Sequence, residues 1–175
     1  LSTFAVRRIR SDEGPRLRSI RLAALADAPG DATTTLARAE ARGADHWDEA
    51  AVANASGGLQ ATFFAEPTAD DGTVAEGQEP CGLLGAYANE SGIVNLVGLW
   101  SAPGHRDIGV ATALLAAVAD WAQTIGADRL RMWVVERNEY ARAFWLNEGF
   151  EPTGARIPYE LDPRLDQVAM VRRLP

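Results

Sequence analysis

The run from Ile93 to Gly126 is the feature that most limits how this chain can fold. Ile93 to Ser101 reads as an apolar strand, a turn through Ala102-Pro103-Gly104-His105 comes next, and from Val110 the chain takes up helical periodicity. Ala111, Leu114, Leu115, Val118, Trp121, Ala122 and Ile125 form one apolar stripe, and Gly126 is the stop. Leu130 to Glu136 then reads as another strand. A crossover of this size normally places its two strands side by side and parallel.

The other elements are read around that unit. Phe4 to Arg10 is a strand with Phe4, Val6 and Arg8 on one face. Ser11, Asp12, Glu13 and Pro15 announce a helix with the stripe Leu17, Ile20, Ala24 and Leu25, ended by Pro29-Gly30. A second, weaker helical stretch runs from Thr34 into Val52, interrupted by Gly43. Leu59 to Glu66, Cys81 to Asn89 and Ile93 to Ser101 make three antiparallel neighbours, with an acidic hairpin loop from Pro67 to Pro80. Asn138 caps a short helix closed by Gly149-Phe150, and strands near Gly154 to Leu161 and Val168 to Leu174 flank a turn at Asp162-Pro163. The expected fold is α/β, a mixed and mostly antiparallel sheet of about seven strands flanked by four helices. A single domain over residues 1–175 is expected.

Composition narrows the partners. The apolar fraction of 47% contains no run long enough to span a bilayer, so no membrane partner is expected. Leu1 to Arg8 carries no basic-then-apolar leader pattern, which makes the cytoplasm the expected compartment. Every one of the 17 basic residues is arginine, and the net charge of -7 disfavours a nucleic-acid partner while mildly favouring a cationic one. Without lysine no Schiff base can form on the protein. With Cys81 alone there is neither an intramolecular disulfide nor a cysteine metal cluster, and no metal is expected. Pairing of two copies is left open.

The turn before the long helix is an anion site in outline. Helix N-termini offer unpaired N–H groups and partial positive charge, and small residues let a phosphate approach the main chain. Gly109 and Ala111 are those small residues, and Arg106 stands just before them. Further on comes Asn138-x-x-Ala141-x-x-Phe144-Trp145-x-x-x-Gly149-Phe150. The two patterns in this order resemble the GNAT superfamily of N-acetyltransferases, and the resemblance covers essentially the whole chain.

By that resemblance, the strands on either side of the long helix would splay, with Gly98 marking a bulge, and Leu99, Trp100 and Ser101 would pair with the pantetheine arm of acetyl-CoA through their backbone. It likewise implies that backbone amides over Arg106, Asp107, Ile108, Gly109, Val110, Ala111 and Thr112 would hold the pyrophosphate. Asn138 would sit beside pantetheine while capping its helix, and Ala141, Phe144 and Trp145 would wall the acyl arm. Two departures stand out: Asp107 replaces a frequent glycine, and Trp145 replaces the tyrosine that usually protonates the departing thiolate. Direct attack of an amine acceptor on the thioester requires a base or water relay and backbone donors for the oxyanion. Glu136 is the candidate base, beside Glu66 and Tyr87, and Tyr140 the candidate acid, beside Tyr159 and solvent. The acceptor amine itself has no signature. The alternative reading is a silent acyl-CoA-binding module of the same fold.

Overall fold

The structure is a computed structural model and describes residues 3–175, so Leu1 and Ser2 of the leader reading lie outside the described residues. Seven strands form one sheet in the order β1-β2-β3-β4-β5-β7-β6. They are β1 (Phe4–Arg8), β2 (Gln60–Pro67), β3 (Gly82–Glu90), β4 (Ile93–Ser101), β5 (Arg129–Val135), β6 (Glu151–Tyr159) and β7 (Asp162–Arg173). Every neighbouring pair is antiparallel except β4 and β5, which the crossover makes parallel as expected.

Five α-helices cover the sheet among the described residues: α1 (Gly14–Asp27), α2 (Leu36–Glu40), α3 (Ala44–Ala55), α4 (Val110–Thr124) and α5 (Glu139–Asn147). The expected count was four. The difference lies at Gly43, which takes an extended conformation as the N-cap of α3 and divides the second helical stretch in two. Thr35 caps the short first piece by accepting from the Arg38 N–H.

Alternation along the strands feeds two cores. Ala61, Phe63 and Ala65 of β2 and Leu84 of β3 pack with Leu114, Leu115 and Val118 of α4. Phe64 and Leu83 turn the other way, against Ile20 and Leu25 of α1 and Trp47 and Ala51 of α3. Trp47 is thus a core residue, with its indole N–H unpaired among the described residues. Cys81 is buried, which pushes its thiol pKa up and leaves it inert.

The tail strands differ from expectation, and β7 starts at Asp162 rather than near Val168. Strand β6 begins at Glu151 rather than near Gly154, and the hairpin turn is Glu160-Leu161 rather than Asp162-Pro163. Asp162 is already paired with Tyr159, and its carboxylate accepts from the Arg164 N–H, a local turn that imitates a reversal of the chain. The acidic stretch after β2 is a hairpin closed by a bridge between Thr68 and Val74.

Candidate active site

Strand β4 is paired with β5 only at Ile93, Val94 and Asn95, opposite Arg129, Leu130 and Arg131. Beyond Asn95 both strands continue without each other. The cause is visible on the other edge of β4, where Val97 faces Gly85 and Trp100 faces Leu83, so β4 carries one residue more than β3 between these pairs. That bulge is at Gly98, whose φ of 69° is open to glycine at no steric cost. Cleft-facing N–H and C=O groups past Asn95 therefore lack strand partners and suit an extended ligand with amides of its own. Leu99 packs toward the α4 core and Trp100 toward the α1 core, so the strand's two faces stay anchored across the gap.

Past β4, a 3-10 turn at Pro103–His105 leads to Arg106, Asp107, Ile108 and Gly109, and then into α4. Asp107 and Gly109 both have left-handed backbones, φ 62° and 93°. Left-handed residues at alternate positions can bring neighbouring N–H groups toward a common point, as anion-binding nests do. This explains Asp107 where glycine is frequent, because aspartate is among the few residues that tolerate the left-handed region. Its side chain is exposed, as are the residues Ile108 and Gly109, whereas Val110 is buried in the α4 core. Ala111 and Thr112 complete the first turn, and the Thr112 hydroxyl donates to Glu148 at 2.6 Å.

Arg106 has an unexpected partner. Its guanidinium is ion-paired with Asp27, at the end of α1, and its Nε donates to the Ser101 carbonyl at 3.2 Å. Asp27 also accepts from the Trp100 indole N–H at 2.9 Å. These two contacts, the indole first, hold the Asp27 carboxyl below its ordinary pKa. The Asp27 carboxylate and a bound pyrophosphate would compete for one guanidinium. Asp27→Asn keeps an acceptor for Trp100 but removes the charge, and is expected to tighten acetyl-CoA binding about threefold, measured by calorimetry at low salt. Weakened binding would show instead that the pair holds the loop in shape.

Asn138 caps α5 by accepting from the Ala141 N–H at 3.1 Å. Ala141 and Phe144 are half-buried against the α4 core, but Trp145 lies inside it, 5% exposed and edge-on to both Phe144 and Phe150. Two of the three candidate bases are engaged, and Tyr87 is half-buried on β3, opposite Gln60 and Asn95. Glu136 accepts two hydrogen bonds from Arg156, at 2.8 and 2.5 Å, which lower its pKa. Glu66 is held by Arg7 and Arg16; burial alone would raise its pKa, and the arginine hydrogen bonds bring it down. Tyr140 is 79% exposed, and the Tyr159 hydroxyl donates to the Ala32 carbonyl at 2.6 Å. On the α1 side, Ile20, Ala23, Pro80, Trp100 and His105 line a cleft of about 370 Å³.

The family model described as acetyltransferase (GNAT) family matches residues 34–150. The chain belongs to the acetyltransferase (GNAT) family. It is an acyltransferase of the acetyl-CoA-dependent kind. No curated protein matches the chain. Among solved structures, a GNAT-family acetyltransferase from Streptococcus pneumoniae is similar with a TM-score of 0.69 at 18% identity, covering 98% of this chain and 99% of that one. The yncA protein of Salmonella typhimurium, solved with its cofactor acetyl-CoA, has a TM-score of 0.68 at 17% identity, covering 99% and 95%. NAA60 of Arabidopsis thaliana, in complex with a bisubstrate analogue, has a TM-score of 0.68 at 16% identity, covering 98% of each chain. At these identities the likeness is one of fold. The chain has the splayed sheet and turn of a GNAT acetyltransferase, while Asp27 and Arg156, both far from their partners in sequence, gave no sign of their part in the site. No helix among the described residues is long and apolar enough to cross a membrane. Nor do the described residues contain a group of three or more His, Cys, Asp and Glu side chains placed to hold a metal.

Proposed function

We propose that this domain, spanning 1–175, transfers an acetyl group from acetyl-CoA to a primary amine by direct attack, with no covalent enzyme intermediate. The observation that carries the reading is the loss of β4–β5 pairing after Asn95 while β4 runs on through a bulge to Ser101 and into the nest at Arg106 to Gly109. One groove thus offers unpaired strand backbone for pantetheine and converging N–H groups for pyrophosphate. Leu99, Trp100 and Ser101 would pair with the pantetheine amides, the N–H groups from Arg106 to Thr112 would hold the pyrophosphate, and Asn138, Ala141 and Phe144 would flank the arm. Trp145 would act from behind, fixing Phe144 by its edge-on contact. The acceptor nitrogen forms the new C–N bond as the C–S bond breaks and the CoA thiolate leaves.

Backbone N–H groups at the bulge would stabilise the oxyanion. With Glu136 and Glu66 both committed to arginines, proton removal from the ammonium would fall to water in the cleft, and the thiolate would take its proton from solvent. Cytoplasmic residence is part of the same proposal.

The test is CoA release from acetyl-CoA in the presence of small amines, peptide N-termini and amino sugars. Turnover is expected with at least one class, and kcat/KM is expected to rise with pH up to the acceptor's own pKa. An inflection at one pH for acceptors of different pKa would identify a protein base and overturn the water route. Tight acetyl-CoA binding without turnover on any amine would turn the reading to a silent binding module. A folded protein that does not bind acetyl-CoA would overturn it altogether.

A further inference from the structure

Helix α1 faces the sheet with Leu17, Ile20, Ala24 and Leu25, and Arg21 lies inside that same stripe. Its guanidinium reaches the β4 bulge: a Cβ built on Gly98 would stand 2.7 Å from Nη1 and 3.4 Å from Cζ. Glycine at the bulge therefore does two things. It opens the strand, and it leaves room for a cation beside the gap.

That cation has no partner. Among the described residues Arg21 makes neither a hydrogen bond nor an ion pair, although it is half-buried. The other half-buried arginines are all engaged. Arg7 and Arg16 hold Glu13 and Glu66, Arg131 holds Asn95 and Glu90, and Arg129 holds Asp128. Arg8, Arg142 and Arg172 donate to backbone carbonyls. Burial first, and then Arg42, a second cation, lower the Arg21 pKa. A guanidinium withdrawn from water is costly unless an anion or several acceptors meet it. Where Arg21 meets β4, at Gly98, the strand still runs on to Ser101 before the turn that leads to Arg106 and Gly109.

We propose that Arg21 binds an anionic group, carboxylate or phosphonate, carried by the acceptor amine. This rests on the acetyl-transfer reading above and narrows its acceptor class. An amine attacking a thioester laid along Leu99 to Ser101 would come from the α1 side, where Arg21 stands over Gly98. Planar donors on Arg21 suit a carboxylate in two-point contact, which would fix the amine's distance from the reacting carbon. The net charge of -7 describes the chain as a whole, whereas the charged group that acts on Arg21 is another cation, Arg42.

The experiment compares matched acceptors at saturating acetyl-CoA: an amino acid against its amide, and an aminoalkylphosphonate against the corresponding amino alcohol. Wild type is expected to favour the anionic member of at least one pair by about 10- to 100-fold in kcat/KM. In Arg21→Gln that ratio is expected to fall toward unity, and in Arg21→Lys to recover in part. The pair that responds tells carboxylate from phosphonate. CoA affinity and thermal melting, measured on the same samples, separate loss of fold from loss of preference. Absence of an anionic preference in wild type, silence on all four amines included, overturns the inference while CoA binding stands. A preference unchanged in Arg21→Gln overturns it as well. Failure of wild type to bind CoA removes the acetyl-transfer reading itself.

Discussion

Gly109→Glu is expected to weaken acetyl-CoA binding by about 1000-fold or more while the protein still folds. Gly109 is the N-cap of α4 with φ 93°, and a Cβ placed there meets nothing within 4 Å. Bulk is therefore tolerated, and what any side chain adds is left-handed strain of about 1–2 kcal/mol. A glutamate at a helix N-terminus recovers part of this, because the dipole favours negative charge there by about 0.3–1 kcal/mol. The fold thus accepts the substitution, whereas the anion site does not. A carboxylate about 4 Å from a pyrophosphate charge costs about 4 kcal/mol at the screening typical of a protein surface. Gly109→Ala carries the strain without the charge and is expected to lose no more than about 10-fold. Calorimetric titration of both variants decides the matter: equal affinity in wild type and Gly109→Glu would refute the nest as the pyrophosphate site.

Periodicity made the centre of the fold legible, and its absence hid the margins. Helix α4 and the parallel pair around it could be read because a long amphipathic stripe joins two apolar strands, an arrangement with one usual solution. Strand β6 gave no such signal. It lies at the sheet edge and is exposed along nearly its whole length, so Glu151-Pro152-Thr153-Gly154 looks like a turn. The hairpin Glu160-Leu161 lacks glycine or asparagine, while the adjacent Asp162-Pro163 mimics turn chemistry.

The candidate site divides in the same way. Its backbone parts, the Gly98 bulge and the Arg106 to Gly109 turn, were legible because glycine at a strand interior or a helix start has a conformational reason. Its side-chain parts were not. Asp27 reaches Trp100 and Arg106 from the end of α1, and Arg156 comes from an edge strand to claim Glu136. Arg21 stands among Leu17, Ile20 and Ala24 at helical spacing, where a pattern search sees only an interruption of the stripe.

Glu66→Leu is expected to destabilise the fold by about 3 kcal/mol, a fall in Tm of roughly 10 °C for a chain of this size. The Glu66 side chain is 4% exposed and accepts from Arg7 at 2.8 Å and Arg16 at 2.7 Å. Glu13 accepts from the same two arginines, which also donate to the Arg8 and Gln78 carbonyls, and both guanidinium groups rest over the Phe64 ring. Two anions and two cations thus join β1, β2 and the start of α1, and removing one anion leaves two cations on Glu13 alone. Glu66→Gln keeps an acceptor and is expected to cost less. Arg7→Met combined with Glu66→Leu should recover part of the loss, since the charges again balance. Acid reports on the same network. Hydrogen bonds from Arg7, acting against burial, lower the Glu13 pKa from 4.5 to about 2. A carboxyl depressed in the folded state stabilises fully above its unfolded pKa, and the contribution disappears as pH falls through the folded one. Stability is therefore expected to drop between pH about 4.5 and about 2, and Glu13→Gln should flatten that drop. A Glu66→Leu protein melting within a degree or two of wild type would mean that water, rather than the partner ions, satisfies the two arginines.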